Sequence, residues 1–292
     1  MKKFLLALML LAIHADPASA ARARYELEGE IKVRFYYDQS FYSTGFWNYS
    51  NLQTDLLNAL NYTGTYGLGL KFVQDTSNFN FLVDMGSRQT WSRNQSRDWL
   101  QANLPITTGI VKVLIHSRGM TPDGICYDDI PGSNLSSYDQ GLTFRALPAG
   151  GKASSHLMVT AKAGCSVNST ALITQASLKD TFVHEIGHAL AHPGNDNRMA
   201  QCKTPPQASA MCHSVAGGAR RSWQKWFAQD VTLIRTEVFD TSSRQYPRVQ
   251  CYEYSSYQVC NDECLNTAGF PNPGATEVYE NCKRNYCDKM CR

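Results

Sequence analysis

The chain has 292 residues, of which 43% are hydrophobic, and a net charge of +3. That length suits one main globular domain with a small second one, and so slight a charge excludes nucleic acid and an anionic membrane surface as expected partners. Beyond the first twenty residues no segment reaches eighteen consecutive apolar residues, so no membrane span is expected.

Residues 1–20 have the anatomy of a signal peptide. Lys2 and Lys3 form a positive start, Phe4 to Ile13 is apolar, and Ala18-Ser19-Ala20 supplies small residues for cleavage. The mature chain is expected to begin near Ala21 and to be secreted or periplasmic. Glu30 to Asp38 alternates and is rich in β-formers, which predicts a strand. Asn51 to Leu60 has apolar residues three and four apart, which predicts a helix. Leu70 to Gln74 and Phe79 to Val83 read as strands, and Gly109 to His116 as a continuous apolar strand. Thr121 to Leu135 is a turn-rich loop, followed by strands over Gly141 to Leu147 and Ser155 to Ala161. Ser177 to Ala191 carries helical spacing through Leu178, Phe182, Ile186, Ala189 and Leu190, and Pro193 and Gly194 stop it. Ala219 to Phe239 is the longest helical stretch, with Trp223, Trp226, Phe227, Val231 and Ile234 on one face. After Thr241 the composition turns to Cys, Tyr, Asn and Pro. The expected division is therefore 1–20 leader, 21–240 main domain and 241–292 tail.

Ten cysteines, an even number with none in the leader, fit disulfides in an oxidising space. Cys126 and Cys165 are candidates to pair across the sheet, and Cys202 and Cys212 to staple a loop. The remaining six would staple the tail from Cys251 to Cys291. Its C-x8-C-x3-C and C-x4-C-x3-C spacings resemble small toxin-type cysteine-rich modules with helical C-x3-C segments. Zinc-binding thiols are the rival reading, disfavoured because no C-x2-C pair exists. Sequons at Asn48, Asn61, Asn94, Asn134 and Asn168 would mark exposed loops only in a glycosylating host.

The chemistry lies in His184-Glu185-Ile186-Gly187-His188. Histidines four apart share one helix face, so both imidazoles can reach one zinc ion. Glu185 projects beside the metal, where it can take a proton from zinc-activated water as general base. The competing reading is a core helix with two hydrogen-bonded histidines.

With that motif, the region from Glu30 to Asp240 resembles the metzincin zinc metallopeptidases. Their pattern is an H-E-x-x-H helix, a glycine that breaks it, a third ligand and a later methionine turn. Ser209-Ala210-Met211-Cys212 looks like the methionine turn, with Met211 under the metal. The resemblance implies an α+β fold: a mixed twisted sheet, an active-site helix and a helical C-terminal subdomain, followed here by the disulfide-rich tail. It implies Zn2+ as cofactor and an extended peptide or protein substrate along a sheet edge. The chain departs from the pattern where the family has its glycine and third ligand, which fall on Ala191 and Gly194. Asp196, after a Pro-Gly turn, is the preferred third ligand, and His192 is its rival. A helical His192 would lie about 12 Å along the axis from His184, beyond one ion unless Pro193 breaks the helix. The two could also act as a ligand and its orienting partner. His213, two residues past Met211, is a candidate oxyanion stabiliser in place of a tyrosine found in some members.

The expected function is therefore a secreted zinc endopeptidase. Little chain separates Ala21 from the first strand, so a long propeptide is not expected. A narrower version is a metzincin-type A subunit of a cholera-like AB5 toxin, its tail anchored to a binding-subunit pentamer. The alternative is a non-catalytic secreted binding or adhesion protein on a degenerate scaffold. The displaced third ligand favours that alternative, and the intact Glu185 opposes it.

Overall fold

The computed structural model describes residues 22–45, 49–77, 81–133, 138–145, 154–190, 210–211, 226, 228–239, 248–269 and 274–291. They form an α+β chain with a mixed, mostly parallel sheet. The chain divides into two compact units, the larger covering residues 28–64 and 70–246. The smaller takes in residues up to 27, 65–69 and 247–292. The first strand, β1 (Arg22–Tyr25), belongs to the smaller unit.

In the larger unit β2 (Gly29–Asp38) leads through the single turn α1 (Gln39–Tyr42) to α2 (Tyr49–Thr63). β3 (Leu70–Gln74) and the short β4 (Leu82–Val83) follow. Next come β5 (Thr90–Ser92), α3 (Arg93–Asn103), β6 (Ile110–His116) and β7 (Gly119–Thr121). β8 (Gly141–Arg145), β9 (Ser155–Thr160), α4 (Gln175–Leu190) and α5 (Ala228–Phe239) complete it.

The main sheet has the order β3-β2-β6-β9-β8, with β4 also on β2. Every pairing is parallel except β8 with β9. Parallel neighbours need crossovers, and α2 provides the one between β2 and β3. Its Leu52, Leu56, Ala59 and Leu60 are buried at helical spacing. Its Asn61 side chain then closes on the outer edge of β3. The amide donates to the Phe72 carbonyl at 2.9 Å and accepts from the Phe72 N–H at 2.7 Å, as a neighbouring strand would. β6 and β9 are buried along nearly their whole length, which for β6 explains the continuous apolar reading. α3 carries few apolar residues and begins instead with a capping box, in which Ser92 and Gln95 satisfy each other's backbone N–H groups.

The carboxyl ends of β2 and β6 are tied by a buried polar network. Asp38 accepts from Arg118 Nε at 3.0 Å and from the Met85 N–H at 2.8 Å. Thr160, at the end of β9, donates to the Arg118 carbonyl at 2.7 Å. Burial alone would raise the Asp38 carboxyl, but its bonds from Ser40, Met85 and Arg118 outweigh burial and hold it below the usual carboxylate range. The disulfide Cys126–Cys165 lies in the same unit.

In the smaller unit β1 pairs antiparallel with β10 (Val249–Glu253). Two helices follow, α6 (Tyr257–Ala268) and α7 (Ala275–Asn285). The C-x3-C spacing sets Cys260 and Cys264 on one face of α6, and they bond to Cys287 and Cys282 respectively. Cys251–Cys291 joins β10 to the chain end. A unit this small buries little apolar core, and cross-links offset that shortage. Cys202 and Cys212, and residues 219–225 and 227 of the helix expected from Ala219, lie outside the described residues; Trp226, expected within that helix, is not helical, and α5 begins only at Ala228. Among the described residues no helix is long and apolar enough to cross a membrane.

His116, the last residue of β6, is fully buried and its pKa is lowered to about 3 by desolvation. An unfolded histidine titrates near 6.5, so between those values the unfolded chain binds a proton that the folded chain refuses. Stability from this residue is complete above about pH 6.5 and falls as pH drops, by up to about 1.4 kcal/mol per pH unit. Thermal stability should thus fall from pH 7 to pH 5, above the range in which carboxylates such as Asp38 protonate. His116→Gln should flatten that part of the curve; an unchanged slope would contradict the assignment.

Candidate metal centre

The site is built on α4, whose apolar residues Leu178, Phe182, Val183, Ile186, Ala189 and Leu190 are buried. That packing leaves one turn of the helix to carry the polar residues. His184 and His188 project from the same face, with their Nε2 atoms 3.1 Å apart. Their rings meet edge to face, at 87° and with centroids 4.6 Å apart. Two nitrogens sharing a tetrahedral zinc at 2.0–2.1 Å each would be about 3.3 Å apart. The pair therefore fits one small cation without rearrangement.

The second ring nitrogen of His184 defines its tautomer. Nδ1 lies 2.8 Å from the Ala210 carbonyl oxygen, which only accepts hydrogen bonds. Nδ1 therefore carries the hydrogen, and neutral His184 turns a lone pair at Nε2 toward His188. A backbone carbonyl behind a metal-ligating histidine is the usual arrangement for fixing ring orientation.

Ala210 and Met211 form a turn directly under α4. A Cβ on Gly187 would come within 2.3 Å of Met211 Sδ and within 2.9 and 3.0 Å of the Trp226 ring. The glycine inside H-E-I-G-H thus lets the 210–211 turn approach closely enough for Ala210 to reach His184. Glu185, also buried, faces the edge strand β8. Thr143 Oγ1 lies 2.6 Å from Glu185 Oε2 and 3.0 Å from the Glu185 carbonyl oxygen. A Cβ on Gly141 would lie 2.5 Å from both Cγ and Oε1 of Glu185.

The structure thus brings together His184, Glu185, His188 and Met211. Asp196, His192 and His213 lie outside the described residues, so the third ligand and the oxyanion group have no described position. Among the described residues two other sets of ligand-type atoms cluster, Cys260 with Cys264 and Cys287, and Cys126 with Asp128 and Cys165. All of those cysteines are in disulfides, so they offer no thiolate to a metal. Sequence reading gave no role to Gly141, Thr143 or Gly187; it placed Ala210 in the methionine turn without its bond to His184, and Trp226 on a helix face rather than against Gly187. For Gly187 a signal existed, since glycine inside a helix costs about 1 kcal/mol relative to alanine and calls for a packing reason.

No family model matches the chain, and no curated protein matches it in sequence. Among solved structures it is similar to archaemetzincin from Methanopyrus kandleri, at 12% identity and a TM-score of 0.38. The match covers 72% of this chain and 96% of that one. A likeness at that level carries nothing about the chemistry of this chain, which rests on its own side chains.

Gly187→Ala should destabilise the protein by about 1–3 kcal/mol, because the new methyl group must displace Met211 or Trp226. It should also weaken zinc retention by moving the Ala210 carbonyl from His184. Calorimetry and metal analysis would check both; a Tm and zinc content equal to the parent's would contradict the close approach.

Proposed function

We propose that the protein is a secreted zinc-dependent endopeptidase. The observation that carries this reading is the convergence of His184 and His188 Nε2 at 3.1 Å, with the Glu185 carboxyl on the same turn. His184 and His188 hold the metal, and a third ligand comes from the segment after α4, with Asp196 favoured over His192. When bound, zinc polarises a carbonyl and brings the pKa of water to about 7. The Glu185 carboxylate takes the proton and so serves as general base.

The substrate is a peptide or protein in extended conformation. This is supported by β8, which ends the sheet order and carries Gly141 and Thr143 against Glu185. A peptide adding to that edge would pass beside the base. Export is supported by the anatomy of residues 1–20 and by the disulfides. The tail is proposed to dock or assemble the enzyme with a partner, a binding-subunit pentamer in the toxin version. Its separate set of three cross-links supports an independently stapled unit.

Purified protein should carry about one zinc per chain, and His188→Ala should lose it. Glu185→Gln should keep the zinc while turnover of a peptide substrate falls roughly 10²-fold or more. Full zinc occupancy in the first variant, or unchanged hydrolysis in the second, would overturn the respective assignment. Asp196→Ala should weaken zinc binding more than His192→Ala does, since loss of a ligand exceeds the roughly 10–100-fold effect of an orienting partner. The reverse ranking would make His192 the ligand.

A further inference from the structure

Glu185 does not stand beside β8 by chance of packing: two residues of that strand form a seat for its side chain. Gly141 and Thr143 are two apart on a strand, so they share a face. Gly141 offers bare backbone where any side chain would occupy the carboxylate's place, with a Cβ 2.5 Å from Glu185 Oε1. Thr143 offers a hydroxyl 2.6 Å from Oε2. We propose that Thr143 is a positioning residue for the general base, holding the Glu185 carboxylate in its working orientation from the edge strand. The inference rests on the reading of Glu185 as base.

Counting hydrogens supports the direction of the bond. The Thr143 hydroxyl has one hydrogen and two oxygens of Glu185 within reach, the carboxylate Oε2 at 2.6 Å and the carbonyl at 3.0 Å. An ionised carboxylate is the stronger acceptor and the shorter contact, so the hydrogen goes to Oε2. With Oε2 anchored, rotation of the carboxylate about its last torsion is stopped, and the position of Oε1 is fixed with it. A base held within hydrogen-bond reach of its proton gains rate by orientation rather than by binding. Loss of the hydroxyl should therefore appear in kcat and not in KM. The same strand has its outer edge at the end of the sheet, so one element would align both substrate and base.

The test uses the purified full chain with its zinc. Thr143→Val replaces the hydroxyl with a methyl group of similar shape, and Thr143→Ser keeps the hydroxyl and drops the methyl. Thr143→Val should lower kcat by about 10- to 100-fold with KM within about twofold and zinc content unchanged. Thr143→Ser should recover kcat to within about threefold of the parent. Thermal unfolding gives a readout apart from activity: Thr143→Val should lower Tm in the parent and by less in a Glu185→Ala background, because the partner is already gone. Parent-like kcat in Thr143→Val, equal losses in the valine and serine variants, or equal Tm changes in both backgrounds would overturn the proposal. A fully active Glu185→Gln would overturn the base itself, and Thr143's role with it. An inactive Glu185→Gln beside a fully active Thr143→Val would overturn the role of Thr143 alone.

Discussion

Two imidazole nitrogens held 3.1 Å apart are the constraint around which the larger unit is arranged. At that separation His188 Nε2–H can donate to the His184 lone pair, or with its hydrogen on Nδ1 it can turn a second lone pair to one ion; one turn of helix alone does not fix the rings. Ring orientation comes from behind, where the Ala210 carbonyl accepts from His184 Nδ1 at 2.8 Å. That bond requires the 210–211 turn to lie against α4, and the turn fits only because residue 187 lacks a side chain. One glycine, one carbonyl and one helical turn therefore act together, and none of the three does the work without the others.

The sheet supplies the rigidity that this arrangement needs. α4 packs on β8 and β9, and its Phe182 meets Phe35 of β2 with ring centroids 5.8 Å apart. Helix and strands thus share one apolar interior, and the helix has no freedom to rotate its polar turn away. At the far ends of β2, β6 and β9, the Asp38–Arg118 pair and Thr160 lock the strand ends to one another. Such a buried pair is not a large net source of stability, but removing either partner would strand a charge, at a cost of roughly 3–5 kcal/mol. Precise placement of a few polar groups in a dry interior is what allows a site on α4 to be held to a fraction of an ångström.

Much of this architecture is legible in the sequence because the larger unit repeats a simple logic. A strand covered on both faces tends to read as a near-continuous apolar run, so β6 stands out, and β3 falls at Leu70–Gln74 as its pattern predicts. The α4 helix is marked by spacing on one side and by Pro193 on the other. The paired Cys126 and Cys165 follow the expected staple. What escaped reading had weaker local signals. α3 is held by its capping box and by Trp99 and Leu100 rather than by a long apolar stripe. β1 and β10 are short and polar, and they find each other across more than two hundred residues, a pairing that no periodicity announces. The contributions of Gly141 and Thr143 were invisible because they arise from register: they reach Glu185 only once β8 has paired antiparallel with β9.

The central claim is that α4 presents two imidazoles to one zinc ion. X-ray absorption at the zinc edge of the purified protein tests it most directly. The account predicts about one zinc per chain, a nitrogen and oxygen shell near 2.0–2.2 Å, and imidazole scattering from two histidines, or three if His192 joins them. Absence of stoichiometric zinc, or a shell dominated by sulfur near 2.3 Å, would contradict it.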